Sequence, residues 1–316
     1  MDISVVVPLY NEEESLPELI AWIDRVMKAN DFTYEVIMVD DGSTDSSWAV
    51  VRQLSEQYPG VRGISFQRNY GKSPALHTGF QSAQGRVVIT MDADLQDSPD
   101  EIPGLYKMVV EENYDLVSGW KKKRHDPIGK TLPSKFFNWV TRKVSGIYLH
   151  DFNCGLKAYK REVTQAIEVY GDMHRHMPLL AKWAGFKNIG EKVVEHRARK
   201  YGYSKFGVSR LVTGFLDLLS LMFVGKFGQR PMHFFGTFGT LMFILGFGSA
   251  LYIGVTKLIR LNAGHDVILV TENPFFYISL TSMILGTILF VTGFLAELVV
   301  RSSPDRNQYL IRERLG

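Results

Sequence analysis

Two hydrophobic patterns alternate along the first part of the chain. Short, almost continuous apolar runs of four to six residues are separated by longer stretches in which apolar residues recur at every third or fourth position. Continuous apolar runs are typical of strands buried on both faces of a sheet, and the wider spacing is typical of helices that bury one face. The predicted strands cover residues 3–7, 34–39, 61–66, 86–90 and 115–118, and a further strand-like segment covers residues 193–199.

Helices are predicted between the first five strands, over residues 10–30, 46–58, 74–83 and 101–112. The regular alternation of strand and helix predicts a doubly wound α/β domain with a mostly parallel sheet. In such a sheet the carboxyl ends of the strands lie along one edge, and ligands gather there. Polar residues that directly follow strands are therefore the first candidates for a site.

The most informative polar cluster follows the fourth strand, in the sequence Asp92-Ala93-Asp94-Leu95-Gln96. Residues two apart in an extended chain point the same way, so Asp92 and Asp94 can present both carboxylates to one point, with Gln96 beside them. Mg²⁺ and Mn²⁺ prefer such oxygen ligands, and Mg²⁺ commonly combines one or two carboxylates with substrate phosphates. The alternative is a polar turn that binds no ion.

Two more polar clusters follow strands of the predicted sheet. Residues 10–12 follow the first strand, and the adjacent acids Asp40 and Asp41 follow the second. Helix capping is the alternative explanation. It accounts for Asp45 and Ser98 but not readily for two adjacent acids, which repel each other unless something compensates them. Three clusters at one sheet edge predict a nucleotide cleft with a metal ion.

The hydrophobic pattern changes after residue 231, where two long apolar segments follow each other. Residues 234–259 carry no formal charge before Lys257, and residues 275–296 carry none. A bilayer core needs about 20 apolar residues per helix, so both segments are predicted to span a membrane. Residues 208–228 place apolar side chains at helical spacing, which predicts an interfacial helix, although a core helix would look similar.

Basic residues indicate the orientation of these spans. They precede the first span and follow the second, at Lys226, Arg230, Arg301, Arg306, Arg312 and Arg314. The positive-inside bias predicts a multi-pass protein of the plasma (inner) membrane with both termini in the cytoplasm. The predicted divisions are a cytoplasmic domain at 1–207, an amphipathic juxtamembrane helix at 208–230, a transmembrane hairpin at 231–300 and a basic cytoplasmic tail at 301–316.

The amino-acid composition limits the possible cellular compartment and the possible binding partners. The 316 residues are 46% hydrophobic and 22% charged, and a formal net charge of +3 gives no argument for nucleic-acid binding. The single cysteine, Cys154, excludes an internal disulfide and fits a reducing compartment. No basic region precedes the first apolar run, so residues 1–8 are interpreted as a strand rather than a secretory signal.

Three motifs carry a family resemblance: residues 5–12 (VVVPLYNE), 40–45 (DDGSTD) and 92–96 (DADLQ). They resemble the inverting family-2 glycosyltransferases of the GT-A fold, which is a Rossmann-like α/β architecture. The resemblance covers nearly the whole chain and is closer to the polyprenyl-phosphate branch, which includes dolichol-phosphate mannose synthases and bactoprenol glucosyltransferases. It implies a GT-A domain followed by an interfacial helix and two transmembrane helices, a Mg²⁺ or Mn²⁺ cofactor, and a homotetramer.

The resemblance also implies roles for individual residues of the nucleotide cleft. The nucleobase and ribose would be held by Pro8, Tyr10, Glu12 and Asp40 or Asp41. The metal ion and the diphosphate would be held by Asp92, Asp94 and Gln96, and Asp94 is also counted as catalytic. Lys72 matches a position that faces the nucleotide, and an ordinary solvated lysine is the alternative.

Further residues are implied on the acceptor side. Most of the basic segment 119–125 is interpreted as solvated, and Arg124 is assigned to the anionic phosphates because its planar guanidinium suits them. Asp151 opens the motif DFNCGLKAY and is assigned as a catalytic residue that positions groups or acts as a base. A capping or salt-bridging aspartate is the alternative. Arg175 is assigned to a phosphate, and no metal is assigned to the neighbouring histidines.

A loop that closes over the donor is implied near residue 200. The residues that match it are Arg199, Ser204 and Lys205. Residues 130–148 form an amphipathic, aromatic-rich segment, which is interpreted as a helix docked on the core, with a helix near the membrane face as the alternative.

The function that follows is inverting transfer of one sugar from a nucleotide sugar to a polyprenyl phosphate at the cytoplasmic membrane face, in contact with membrane lipid. A UDP-sugar is favoured as donor and GDP-mannose is the alternative. Two other functions stay open: a glycolipid or polysaccharide synthase with a different acceptor, and a non-catalytic membrane component that binds nucleotide sugar. No Q-x-x-R-W motif of processive synthases is present. No residue identifies the sugar.

Overall fold

A computed structural model describes residues 1–122, 138–143, 145–169, 171, 173–197, 200–201, 223, 227, 230–265 and 268–302. The chain divides into two compact units, Met1–Leu219 and Ser220–Gly316. The first unit is an α/β domain, and the second contains two long apolar helices.

The first unit is built on a seven-stranded sheet. Its strands are β1 (Ile3–Leu9), β2 (Tyr34–Asp40), β3 (Val61–Ser65), β4 (Val87–Thr90), β5 (Leu116–Trp120), β6 (Lys157–Lys160) and β7 (Ile189–Val193). The helices of this unit are α1 (Leu16–Ala29), α2 (Ser47–Gln57), α3 (Lys72–Ser82), α4 (Ile102–Val110), α5 (Arg161–Ala166) and α6 (Met177–Trp183). Single 3₁₀ turns cover Pro99–Glu101 and Met173–Arg175.

The strand order is β3-β2-β1-β4-β6-β5-β7. Strand β1 is parallel to β2 and β4, β2 to β3, and β5 to β7, whereas β6 is antiparallel to both β4 and β5. The predicted mostly parallel α/β sheet is therefore confirmed. Because β6 runs the opposite way, its first residue lies at the edge where β4 and β5 end.

The inner strands β1, β2 and β4 are buried on both faces, as their continuous apolar runs predict. Val5 and Val7 of β1 pack into one hydrophobic cluster, and Val6 between them packs into another on the opposite face. Helix α1 covers the first face with buried residues at helical spacing, namely Leu16, Leu19, Ile20, Ile23 and Met27. Two layers of helices thus leave the strand ends as the place where polar side chains can gather.

Several element boundaries differ from the sequence predictions. The first helix begins at Leu16 rather than at residue 10, because residues 10–15 form turns that connect to the loop after β2. Helix α3 begins at Lys72, two residues before its predicted start. The last strand ends at Val193, where the strand-like segment was predicted to begin, and β6 was not predicted from the hydrophobic pattern.

The second unit contains helices α7 (Pro231–Asn262) and α8 (Pro274–Ser302), connected through a 3₁₀ turn at Val270–Glu272. Both are long and apolar enough to span a membrane, and only 11% of the most apolar window of each is buried. Large apolar side chains that are exposed on the surface of a long helix are typical of helices that face lipid. This finding agrees with a membrane protein.

Glycines bring the two helices together. A Cβ on Gly239 would lie 2.6 Å from the carbonyl oxygen of Gly286, and a Cβ on Gly286 would lie 2.6 Å from the carbonyl oxygen of Gly239. The Ser282 hydroxyl also donates to the carbonyl of Met242 at 2.9 Å. Small residues and interhelical hydrogen bonds are the usual basis of helix association in a membrane. The predicted juxtamembrane helix at 208–230 lies almost wholly outside the described residues, as do residues 303–316 of the predicted tail.

Candidate active site

The segment that follows β4 alternates between buried and accessible residues. Met91, Ala93 and Leu95 are buried in the core, whereas Asp92, Asp94 and Gln96 are partly exposed. Leu95 has a φ of 61°, and the backbone amide of Gln96 donates to Asp94 Oδ1 at 3.2 Å. The alternation places the three polar side chains on the accessible side of one turn, as the spacing predicts.

Asp92 is held by a lysine and a glycine. Lys72, at the start of α3, forms an ion pair with Asp92 Oδ1, so it is not a freely solvated lysine. Burial alone would raise the pKa of Asp92, but the Lys72 ammonium, helped by Lys121, lowers that pKa to about 2. The backbone of Gly155 lies so close that a Cβ there would be 2.5 Å from Asp92 Oδ2. Asp92 is therefore ionised and is contacted on two sides.

The adjacent acids Asp40 and Asp41 are both compensated by hydrogen bonds within the protein. The Asp40 carboxylate accepts from the backbone amide of Ser43 and the hydroxyl of Ser65, both at 3.0 Å. The Asp41 carboxylate accepts from the amides of Tyr70 and Gly71, at 2.7 and 2.9 Å. These donors offset the repulsion between the two adjacent carboxylates, which helix capping did not account for in the sequence analysis.

The Asp41 contacts also position Lys72. The two amides that Asp41 accepts from belong to the residues directly before Lys72. Asp41 therefore holds the start of α3 beside the strand ends, where Lys72 reaches Asp92. The sequence placed Asp41 and Lys72 separately in a nucleotide site; the structure connects them.

The loops after β1 and β2 are bonded to each other. The amide of Asn11 donates to Ser43 Oγ and the amide of Glu12 donates to Ser47 Oγ, both at 2.9 Å. Asn11 itself has a φ of 56°, which turns the chain sharply between β1 and α1. Tyr10 and Glu12 are partly exposed in this turn, and Pro8 pairs with Val39 in the adjacent strand. The predicted nucleoside residues thus lie at the ends of β1 and β2 and in the segments that directly follow these strands.

The motif that begins at Asp151 forms a loop, residues 151–156, which leads into β6. Asp151 is 1% exposed, and its Oδ1 accepts from the amide of Asn153 at 3.0 Å. Gly155 of the same loop lies against Asp92, as described above. The loop assigned to the acceptor side is thus in contact with the carboxylate assigned to the donor side.

A histidine that the sequence analysis did not assign lies beside this contact. His174 Nδ1 is 3.0 Å from Ser73 Oγ, and the amide of His174 donates to the same oxygen at 3.1 Å. Burial and the neighbouring cations Lys72 and Arg175 hold the pKa of His174 well below its usual range, so its ring is neutral. His176 is fully buried, and burial lowers its pKa to about 4. Arg175 lies between them in the 3₁₀ turn Met173–Arg175.

A buried ion pair lies next to the Asp92 turn. Asp97 is completely buried, and Lys121 Nζ is 2.8 Å from its Oδ1. Burial by itself lowers the pKa of Lys121, but the Asp97 carboxylate raises that pKa above its usual value. Lys121 belongs to the basic segment that the sequence analysis interpreted as mostly solvated, and its ion pair with Asp97 shows that it is not one of the solvated residues. A charge in a basic run carries no local signal of burial, and only the tertiary structure reveals the pair.

Four assigned residues lie outside the described part of the chain: Arg124, Arg199, Ser204 and Lys205. Among the described residues, no group of three or more histidine, cysteine, aspartate or glutamate side chains is arranged to hold a metal ion. Asp92, Asp94 and Gln96 on one accessible turn nevertheless fit Mg²⁺ or Mn²⁺, because such ions take one or two carboxylates and complete their shell with substrate phosphates and water. The donor set is chemically suitable and incomplete without a phosphate ligand.

The mixed, mostly parallel seven-stranded sheet with its helices is a GT-A-like fold, which solved structures share. Two crystal structures of glucosyl-3-phosphoglycerate synthase from Mycobacterium tuberculosis superimpose on 71% of this chain. One contains Mn²⁺, UDP and phosphoglyceric acid, and matches with a TM-score of 0.55, 20% identity and 78% of that chain covered. The other contains UDP and matches with a TM-score of 0.54, 20% identity and 79% coverage. At this identity the likeness establishes the fold alone.

Sequence comparison gives the family. Residues 4–167 match the model of glycosyl transferase family 2, and the chain belongs to this family. It is similar to a dodecaprenyl-phosphate galacturonate synthase of Rhizobium johnstonii, with 34% identity over 99% of this chain and 93% of that protein. It is also similar to an undecaprenyl-phosphate 4-deoxy-4-formamido-L-arabinose transferase of Photorhabdus laumondii, with 33% identity over 99% of this chain and 94% of that protein. The predicted family is confirmed.

Proposed function

We propose that this protein transfers one sugar from a nucleotide sugar to a polyprenyl phosphate, with inversion at the anomeric carbon. The observation that carries the proposal is the contact between Gly155 and Asp92. It brings the loop that begins with Asp151 against Asp92, one of the carboxylates that suit the metal ion of a bound nucleotide diphosphate. The matches cover 93% and 94% of the two relatives named above, and both act on a polyprenyl phosphate by name, which supports the same acceptor class here.

The residues of the site divide into donor and acceptor groups. Asp92, Asp94 and Gln96 would hold Mg²⁺ or Mn²⁺, which when bound offsets negative charge on the departing diphosphate. Pro8, Tyr10, Glu12 and Asp40 or Asp41 would bind the nucleobase and ribose. Lys72 and Arg175 supply positive charge toward the diphosphate. The Mn²⁺ ion in the crystal structure of the structural neighbour supports the assignment of a divalent metal ion to this site.

The acceptor needs little help from a base. A lipid phosphate is already ionised at neutral pH, so its oxygen can attack without losing a proton to the protein. Asp151 is buried and hydrogen-bonded within its own loop. We infer that Asp151 orients the loop and the incoming phosphate rather than removing a proton. Arg124, Arg199, Ser204 and Lys205 remain assigned to the phosphates and to closure over the donor.

The apolar hairpin explains how the two substrates meet. A nucleotide sugar is soluble in water and a polyprenyl phosphate is confined to the bilayer, so transfer takes place at the headgroup layer. We propose that α7 and α8 span the plasma membrane, that both chain termini and the α/β domain are cytoplasmic, and that residues 208–230 lie in the interface. The homotetramer implied by resemblance is retained as part of the proposal.

The test is a transfer assay on the purified protein in detergent. Undecaprenyl phosphate, Mg²⁺ or Mn²⁺, and a panel of UDP- and GDP-sugars are supplied, and the lipid product is identified by mass. The two relatives differ in their sugar, so UDP-galacturonate and UDP-4-deoxy-4-formamido-L-arabinose belong in the panel with glucose, galactose and mannose donors. We expect a lipid-monophosphate sugar from one donor.

Asp94→Ala tests the metal assignment in the same assay. We expect metal-dependent transfer to disappear while the circular dichroism spectrum is unchanged, because Asp94 lies on the accessible side of its turn. Glu112→Ala, which removes an exposed carboxylate, is the matched control. Full activity of Asp94→Ala contradicts the metal assignment. For the native protein, hydrolysis of the donor without lipid product would indicate another acceptor. Binding of the donor by the native protein without turnover would indicate a non-catalytic component.

A further inference from the structure

Three buried polar side chains lie side by side at the edge of the sheet below the site. Thr90 ends β4, Lys157 begins β6, and Ser118 lies in β5. Lys157 is directly opposite Thr90 in one strand pair and directly opposite Ser118 in the other. Residues opposite each other in paired strands have side chains on the same face, so the three form one row, which we call the polar row.

Each member of the polar row donates a hydrogen bond to a carbonyl of the 151–156 loop. Thr90 Oγ1 donates to Gly155 O at 2.7 Å, Lys157 Nζ donates to Cys154 O, and Ser118 Oγ is 3.3 Å from Asp151 O. The loop therefore rests on three donors from three neighbouring strands.

Burial of three polar side chains in a row costs free energy, so the polar row is expected to have a function that apolar residues could not perform. Thr90 and Lys157 are each 3% exposed, and Ser118 is fully buried. Apolar residues would fill these positions without the desolvation of hydroxyl and ammonium groups. Burial lowers the pKa of Lys157, although the nearby acids Asp151 and Asp92 oppose this effect. A buried ammonium has three donor hydrogens, and the described residues give Lys157 Nζ one acceptor, Cys154 O.

We propose that Thr90, Ser118 and Lys157 are positioning residues, which hold the 151–156 loop so that Asp151 and Gly155 keep their places relative to Asp92. The inference rests on the proposed transfer reaction, in which this loop aligns the acceptor with the donor sugar. Loss of a row member loosens the loop and misaligns the acceptor. Donor binding is retained, because its ligands lie on the Asp92 turn and the loops after β1 and β2.

The single cysteine of the chain reports on the loop directly. Cys154 is 1% exposed, and burial raises the pKa of its thiol to about 12, so a thiol reagent reacts slowly with the native protein. Any opening of the 151–156 loop exposes this thiol. Because no other cysteine is present, the rate of labelling by a maleimide measures loop opening without reference to activity.

The experiment compares Thr90→Val, which keeps the shape and removes the hydroxyl, with Thr90→Ser, which keeps the hydroxyl. Lys157→Met removes the ammonium at similar length. Lys160→Met is its matched control, because Lys160 lies on the same strand and is paired with Asp115 away from the loop. Each variant is checked by circular dichroism, by maleimide labelling of Cys154, and by transfer kinetics.

We expect Thr90→Val and Lys157→Met to increase the labelling rate roughly tenfold and to lower the transfer kcat by roughly tenfold or more, with the donor KM changed less than about twofold. Thr90→Ser and Lys160→Met should match the native protein in both measurements. Unchanged labelling, or faster labelling with unchanged kcat, refutes the positioning role. If the native protein transfers no sugar, the proposed function fails, while the labelling rates still decide whether the row holds the loop.

Discussion

Replacement of Gly155 by alanine is the sharpest test of the site geometry. Gly155 lies in the 151–156 loop and touches the carboxylate of Asp92. An added Cβ would lie 2.5 Å from Asp92 Oδ2, 2.6 Å from its Cγ and 2.8 Å from its Oδ1. The three nearest atoms therefore all belong to the side chain of Asp92, which is one of the residues assigned to donor binding.

The expected effect follows from these distances. Nonbonded carbon contacts are most favourable at about 3.5 Å or more, so the Asp92 carboxylate must retreat by roughly 1 Å or the loop must lift by the same amount. A misplacement of that size can lower a rate by about 100-fold. We therefore expect Gly155→Ala to lower kcat/KM by roughly 10- to 100-fold, which corresponds to about 1.4 to 2.7 kcal/mol of transition-state stabilisation.

The assay measures transfer as a function of donor and of Mn²⁺ concentration. Because Asp92 is partly exposed and can move, the change in the free energy of unfolding should stay below about 1 kcal/mol. Gly254→Ala is the control, since a Cβ at Gly254 has no neighbouring atom within 4 Å. Native activity and native metal dependence in Gly155→Ala would refute the argument that this contact sets the position of Asp92.

Two further variants test other parts of the structure. Lys72→Met removes the ammonium that lowers the pKa of Asp92 and leaves the burial that raises it, so the acid limb of the transfer pH profile should move to higher pH, whereas an unmoved limb contradicts the pairing. Gly239→Leu should disrupt the hairpin by about 1–3 kcal/mol, because its side chain meets the backbone of Gly286, and thermal unfolding in detergent measures this. Gly248→Leu, where a Cβ has open space, is its control.

The sequence determined the elements that depend on local pattern. The apolar runs of β1, β2 and β4 identify buried strands because a strand covered on both faces needs apolar side chains at nearly every position. The two long uncharged segments identify the candidate spans for the same reason, since lipid tolerates few charges. The Asp92–Asp94 spacing placed both side chains on the accessible side of their turn, because that spacing is a property of the chain itself.

Only the tertiary structure decided how distant segments meet. Thr90 and Gly155 are 65 positions apart, and their contact depends on β6 inserting antiparallel between β4 and β5. The compensation of Asp41 by backbone amides and the burial of Lys121 against Asp97 likewise depend on contacts between loops. Hydrophobic periodicity predicts which face of a helix or strand is buried. It does not predict which residues that face, or a neighbouring loop, will contact. The register of the assembled sheet supplies that information, and it sets the distances in the candidate site.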